Sequence, residues 1–124
     1  MKVKVSVKLD KSKIKKLEKA SKVALELTAH AVYTDIVNRQ VVPFADGTLE
    51  QSGDVVEVGD IYQIIFNTPY ARRLYWHPEF NFRTDKNPNA QGKWMDYYLS
   101  GDGLDFVITT YIAFFKQEAK GLIT

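Results

Sequence analysis

SKIKKLEKASKVALELTAHAVYTDIVNRQ, residues 12–40, runs from Ser12 to Gln40 without a proline or a glycine. Its apolar positions Ile14, Leu17, Ala20, Ala24, Leu27 and Ala31 step by three and four, the spacing that gathers side chains on one helix face. The stretch therefore predicts a single helix of roughly 40 Å, far longer than any other element in the chain. Several stripe residues are alanines, which let a helix lie close against a sheet. Past Ala31 the residues Val32, Ile36 and Val37 shift the stripe sideways, so the far end is expected to meet a different neighbour. Asp10 or Ser12 can cap the start, and Pro43 is expected to close the end.

Working outward, residues 2–9 alternate strictly, with Val3, Val5, Val7 and Leu9 on one side and Lys2, Lys4, Ser6 and Lys8 on the other. That is the pattern of a half-buried strand whose lysines discourage edge-to-edge pairing. After the helix comes PFADGTLEQS, 43–52, which reads as a loop with an Asp46-Gly47 turn rather than a packed element. Val55, Val56 and Val58 predict a strand, Gly59-Asp60 a tight turn, and IYQIIFN (61–67) its hairpin partner. Pro69 suits the first turn of a short helix through Tyr70–Tyr75. RTDKNPNAQG, 83–92, is loop-like and has no apolar anchor. KWMDYYL (93–99) predicts a short helix closed by Ser100-Gly101, and Asp102 can cap a last helix with Asp105 near its first turn. In that helix Leu104, Ile108, Tyr111, Ile112 and Phe115 recur at three and four. The order β-α-(β-β)-α-α-α predicts one α+β domain over residues 1–124, its small antiparallel sheet packed against one long N-terminal helix, with short helices in the C-terminal half.

Composition narrows the function classes. The 124 residues are 45% apolar and 26% charged, ordinary for a globular chain. There are no cysteines, which excludes disulfide frameworks, thiol catalysis and cysteine-ligated zinc, and fits a reducing cytoplasm. No signal-peptide run opens the sequence, and FVITTYIAFF (106–115) falls short of the roughly 20 residues a membrane span needs, so a soluble protein is expected. Charge is lopsided. Residues 1–22 hold nine lysines against Asp10 and Glu18, a balance of +7, and the net charge is +2, which leaves −5 for the remainder. Such an end can bind a polyanion, or it can be the solvated side of a strand and a helix.

The densest chemistry is YARRLYWHPEFNF, 70–82. A metal reading rests on His77 and Glu79, but the only other histidine is His30, within the long helix, and zinc needs three or four convergent ligands. Pro78 biases His77 toward extended backbone, so a turn histidine is expected. Ser52 and Ser100 lack the setting of a hydrolase nucleophile, the glycines form no phosphate-cradling motif, and Asp96, Asp102 and Asp105 lack calcium-loop spacing. No catalytic residue, cofactor or metal is expected. A nucleic-acid reading has more substance. Lys2, Lys4, Lys8, Lys11, Lys13, Lys15 and Lys16 can neutralise phosphates, and Arg72, Arg73, Tyr75 and Trp76 can stack and pair. Without a recognition motif this would be sequence-independent contact. A protein-interface reading fits the aromatics best, since Tyr, Trp and Arg dominate interface hot spots. Tyr70, Tyr75, Trp76, Phe80, Phe82, Trp94, Tyr97 and Tyr98 are many for one small core; the alternative is that this segment folds back as a second core layer.

FNTPYARRLYWHPEFNFRTDKNPNAQGKWMDYYL, 66–99, resembles the minor capsid proteins encoded in the head-to-tail region of tailed bacteriophages. The resemblance is carried by Tyr70, Ala71, Arg72 and Tyr75, by His77, Pro78, Phe80, Asn81 and Phe82, and by Lys86, Asn87, Pro88, Asn89 and Ala90. The loop PFADGTLEQS is similar to a segment of phage tail-completion proteins, departing from it with Asp46 where Thr is usual. The resemblance implies a non-enzymatic virion part, assembled in the host cytoplasm into a ring at the head–tail junction. Its partners would be copies of itself and the neighbouring neck, connector and tail proteins, with DNA contact inside the ring and no membrane. The expected interface comprises Tyr70, Arg72, Arg73, Tyr75, Trp76, His77, Phe80, Phe82, Asn87, Asn89, Trp94 and Leu49. The loop 83–92 is expected to be mobile in the free subunit and to order only against a partner.

Overall fold

A computed structural model describes residues 10–45 and 47–122. The strand expected over residues 2–9, with Lys2, Lys4 and Lys8, and the turn residue Asp46 lie outside the described residues. The long helix is present as α1, Lys11–Asn38, and Asp10 caps it by accepting a hydrogen bond from the Lys13 backbone N–H at 3.1 Å. It stops before Pro43 acts. Gln40 adopts a left-handed backbone (φ 56°), which cannot continue a right-handed helix, so Asn38 is its last residue.

The buried line of α1 is Ala20, Ala24, Thr28, Val32 and Ile36, joined by Ala29. Of the expected stripe, Ile14 is exposed and Leu17, Leu27 and Ala31 are only half-buried. Small residues in the first half let two neighbours approach. One is the hairpin β1 (Gly53–Val58) and β2 (Ile61–Phe66), paired antiparallel with Val58 opposite Ile61. The loop Gly59-Asp60 has a left-handed glycine at its first position (φ 61°), as a type II′ turn requires. The hairpin lies along α1 through Tyr62, Ile64 and Phe66, with Lys22 paired to Glu57 at 2.7 Å near its tip. At its base the Tyr33 ring covers Gly53, where a Cβ would fall 2.0 Å from a ring carbon.

The other neighbour is α4, Gly101–Glu118, which runs antiparallel to α1. Ser21 and Tyr111 share a hydrogen bond of 2.7 Å toward one end of this contact, and Tyr98 donates to Asp35 toward the other. Ser100 rather than Asp102 occupies the N-cap of α4; Asp102 lies in its first turn. No helix among the described residues is long and apolar enough to cross a membrane.

Two stretches expected to be plain loops are packed. In 43–52 the turn Thr48–Gln51 forms a short helix, α2, that drives Leu49 into the core to 3% exposure beside Val41 and Val42. In 83–92 the side chain of Asn87 is buried, donating to the Val42 carbonyl at 2.8 Å and to Glu50 Oε1 at 3.2 Å. Asn89 donates to the Arg39 carbonyl and the Gln91 N–H to the Val41 carbonyl, both at 2.9 Å. The loop thus has something to bury: its own amides complete the carbonyls of residues 39–42, the segment that follows α1. α3 (Ala71–Tyr75) and a 3₁₀ turn (Asp96–Leu99) complete a fold that is α+β as expected, with the core cluster Val32, Ile36, Val41, Val42, Leu49, Ala71, Trp94 and Tyr98 at the far end of α1.

Two substitutions test this packing. Helix propensity alone says that Gly103→Ala, inside α4, stabilises by about 1 kcal/mol. A Cβ there would fall 2.0 Å from the Tyr97 carbonyl oxygen, so a net loss of about 1–3 kcal/mol in urea unfolding is expected. Burial, and then its bond to Asp35, pushes the Tyr98 phenol well above its usual range. The unfolded phenol ionises near pH 10, so this contribution is complete below that pH and is lost above it, as the unfolded state sheds a proton the fold retains. Tyr98→Phe should cost about 1–3 kcal/mol at neutral pH and flatten the alkaline limb of the stability profile; an unchanged limb would sink the assignment.

Candidate interaction surface

Residues 70–98 form a chain of small, self-bracing turns around one indole. Pro69 lies in the turn ahead of α3 rather than in its first helical turn; within α3 Ala71, Leu74 and Tyr75 face inward at helical spacing while Arg72, Arg73 and Trp76 face out. Pro78 then blocks continuation of the helix. The His77 ring stacks flat on Phe80 (4.8 Å, 7°), and its Nδ1 lies 2.7 Å from Glu79 Oε1, an interaction that holds the Glu79 carboxyl below its usual range. Arg73 reaches over the outer side of Phe80 at 5.7 Å. His77 is thus the turn residue expected from the sequence.

Arg83 then grips Asp85 with two bonds of 2.7 and 2.6 Å, holding that carboxyl at about 2. Gly92 presses against Pro78, where a Cβ would fall 2.7 Å from the proline Cα. The Lys93 N–H donates to the Tyr75 carbonyl at 2.8 Å, and Trp94 enters the core at 2% exposure. Tyr75 and Phe66 both meet its ring edge-on, at 4.8 and 5.5 Å. The Tyr75 hydroxyl donates to Asp96 at 2.5 Å; burial, followed by this bond, pushes its phenol far up.

The expected interface residues therefore divide. Leu49, Asn87 and Trp94 are interior, and Leu49 and Trp94 reach the surface only where they line the floors of two grooves. Tyr75, Phe80 and Phe82 are half-buried, and Tyr70, Arg72, Arg73, Trp76, His77 and Asn89 are exposed, Trp76 to 59%. The second-layer alternative holds for part of the segment, whose remaining side chains form an exposed aromatic, cationic rim. Lys11, Lys13, Lys15 and Lys16 line the exposed first turns of α1.

Two grooves open along this rim. One, of about 290 Å³, brings the 43–49 stretch against 70–83, with Pro43, Phe44, Leu49, Tyr70, Leu74, Phe80 and Phe82 in its walls. The other, of about 470 Å³, is framed by Phe66, Arg72, Tyr75, Trp76, Trp94 and Leu99. Arg72 and Arg73 have no carboxylate partner among the described residues, so the rim offers free cations beside ring faces. Sequence reasoning missed Leu99, 72% exposed, and the hairpin pair Val58 and Ile61, because no sequence pattern says whether an apolar side chain at an element's end is covered. Among the described residues no three His, Asp or Glu side chains converge as a metal site would need.

The minor capsid protein family model matches residues 1–108, and the chain belongs to that family, the structural proteins of the phage virion. No curated protein and no solved structure matches it.

The two tryptophans should separate cleanly in urea melts. Trp94→Ala is expected to cost about 3–5 kcal/mol. Trp76→Ala, on the rim, should stay within about 0.5 kcal/mol of the parent. Equal losses would mean that the rim is core.

Proposed function

We propose that the protein is a ring-forming joining component of the phage neck, at the head–tail junction, which docks neighbouring connector and tail proteins through its aromatic rim. The observation that carries this reading is the groove between 43–49 and 70–83. Two stretches separated by the hairpin, each similar to a segment of head–tail proteins, share its walls. Tyr70, Arg72 and Trp76 stand exposed beside these grooves, the residue types that anchor interfaces. The role is assembly, with no chemistry assigned to any residue.

DNA contact is a second, weaker component of the same role. The exposed lysines of the first turns of α1, Lys11, Lys13, Lys15 and Lys16, have no carboxylate partner among the described residues. In a ring whose lumen passes DNA they would screen phosphate without reading sequence.

Replacing Arg72 or Trp76 by Ala should weaken docking by on the order of 2 kcal/mol and leave DNA-filled heads that fail to join tails, while circular dichroism of the subunit is unchanged. Normal joining by both variants would refute the rim as the docking surface. Duplex DNA should bind the purified protein with dissociation constants of about 10⁻⁴–10⁻⁶ M that weaken steeply with salt. Sequence-selective or salt-resistant binding would instead make DNA recognition the main function.

A further inference from the structure

Two apolar faces remain bare after the rim is accounted for, and they lie on different elements. The first is the outer face of the hairpin. Pairing places Val58 beside Ile61, Val56 beside Gln63 and Asp54 beside Ile65 on the side away from α1; Val58, Ile61 and Ile65 are all exposed, with Gln63 between the two isoleucines. A two-stranded sheet covered on one side only is marginal by itself. The second is the outer stripe of α4, where Leu104, Ile108 and Ile112 recur every fourth residue and are exposed along its length. Hairpin and α4 each pack on α1 through their other sides, so the two faces cannot meet within one subunit.

They match each other in size and charge. Leu104 to Ile112 spans about 12 Å of helix, and the Ile61–Ile65 row spans about 13 Å of strand. Residues 96–112 hold Asp96, Asp102 and Asp105 and no Lys or Arg, a charge of −3 at the start of α4. Residues 10–25 hold six lysines against Asp10 and Glu18, a charge of +4. Of these, Lys15 and Lys19 share a groove with Asp60 at the hairpin tip. The acidic groups near that tip are Glu18, Glu26, Glu57 and Asp60; Glu57 pairs with Lys22, so the positive excess lies on the first turns of α1, at Lys11, Lys13, Lys15 and Lys16. At the opposite ends of the two faces, Lys116 follows the α4 stripe and Asp54 flanks Ile65; both are exposed. Laying α4 with its start toward the tip brings lysine to aspartate at one end and aspartate to lysine at the other.

We propose that copies of this chain associate head to tail, the Leu104–Ile108–Ile112 stripe of one lying on the Val58–Ile61–Ile65 face of the next. The inference rests on the ring reading and names its subunit contact. Two different faces make the contact heterologous, so it propagates and closes into a ring when the rotation allows. The neighbour's α4 supplies the second layer that the hairpin lacks. The aromatic rim plays no part in this contact and remains available to other neck proteins.

The chain contains no cysteine, so introduced thiols report cleanly. Ile61→Cys with Leu104→Cys in one chain, treated with a short bismaleimide, should yield a ladder of dimers, trimers and larger species. Either substitution alone should yield none. Asp105→Lys and Lys19→Glu should each raise the concentration for half-assembly, read by light scattering, at least tenfold, and the two together in one chain should restore it. Circular dichroism of each variant checks the fold. Cross-linked dimers from Leu104→Cys alone would mean a two-fold α4–α4 contact and overturn the proposal. If the unmodified protein assembles and no ladder forms, the ring reading stands and this contact is wrong. If the unmodified protein stays monomeric, alone and in isolated necks, the ring reading fails and the contact with it.

Discussion

The fold depends on keeping Trp94 dry. Burying an indole removes about 150–250 Å² from water, worth roughly 4–6 kcal/mol at 25 cal/mol per Å². Among the described residues its N–H finds no acceptor, a cost of about 1–3 kcal/mol, so apolar burial wins. Every element near the far end of α1 serves that site: Phe66 from β2, Tyr75 from α3, and the turn that carries Lys93. This explains why the 83–92 stretch cannot float free. The indole that follows it is held in the core, and Asn87 and Asn89 bind it to the carbonyls of Val42 and Arg39, just past α1.

That arrangement divides a conspicuous motif into two jobs. The asparagines and the His-Pro turn are internal bracing, satisfied within the subunit. The side chains that this bracing pushes outward, Tyr70, Arg72, Arg73 and Trp76, form the rim proposed as the docking surface. A docking face held on loops works only if the loops are rigid, and the bracing supplies that rigidity.

The charge asymmetry gains meaning from the same geometry. Lysines crowd the first turns of α1 next to the hairpin tip, whereas the start of α4 carries aspartates and no cations. Among the described residues no ion pair joins these groups within one subunit. In the proposed subunit contact they would set orientation, which is where complementary surface charge acts most strongly.

By itself the sequence determined the elements governed by local rules. Periodicity and the absence of Pro and Gly define α1, Asp10 caps it, and the Gly59-Asp60 turn sets the hairpin register. The aromatic density of 70–98 marked the segment that matters, and its resemblance to minor capsid proteins matched the family to which the chain belongs. Tertiary structure alone decided which members of that segment face inward. Leu49, Asn87 and Trp94 look in sequence like their neighbours and are buried, while Leu104, Ile108 and Ile112 look like core and are bare. The reason is physical: spacing says which side chains share a face, but whether that face is covered depends on residues distant in the chain. The Val42 carbonyl, just beyond α1, drew in Asn87 from 45 positions away, and nothing in the described fold was left to cover the outer stripe of α4.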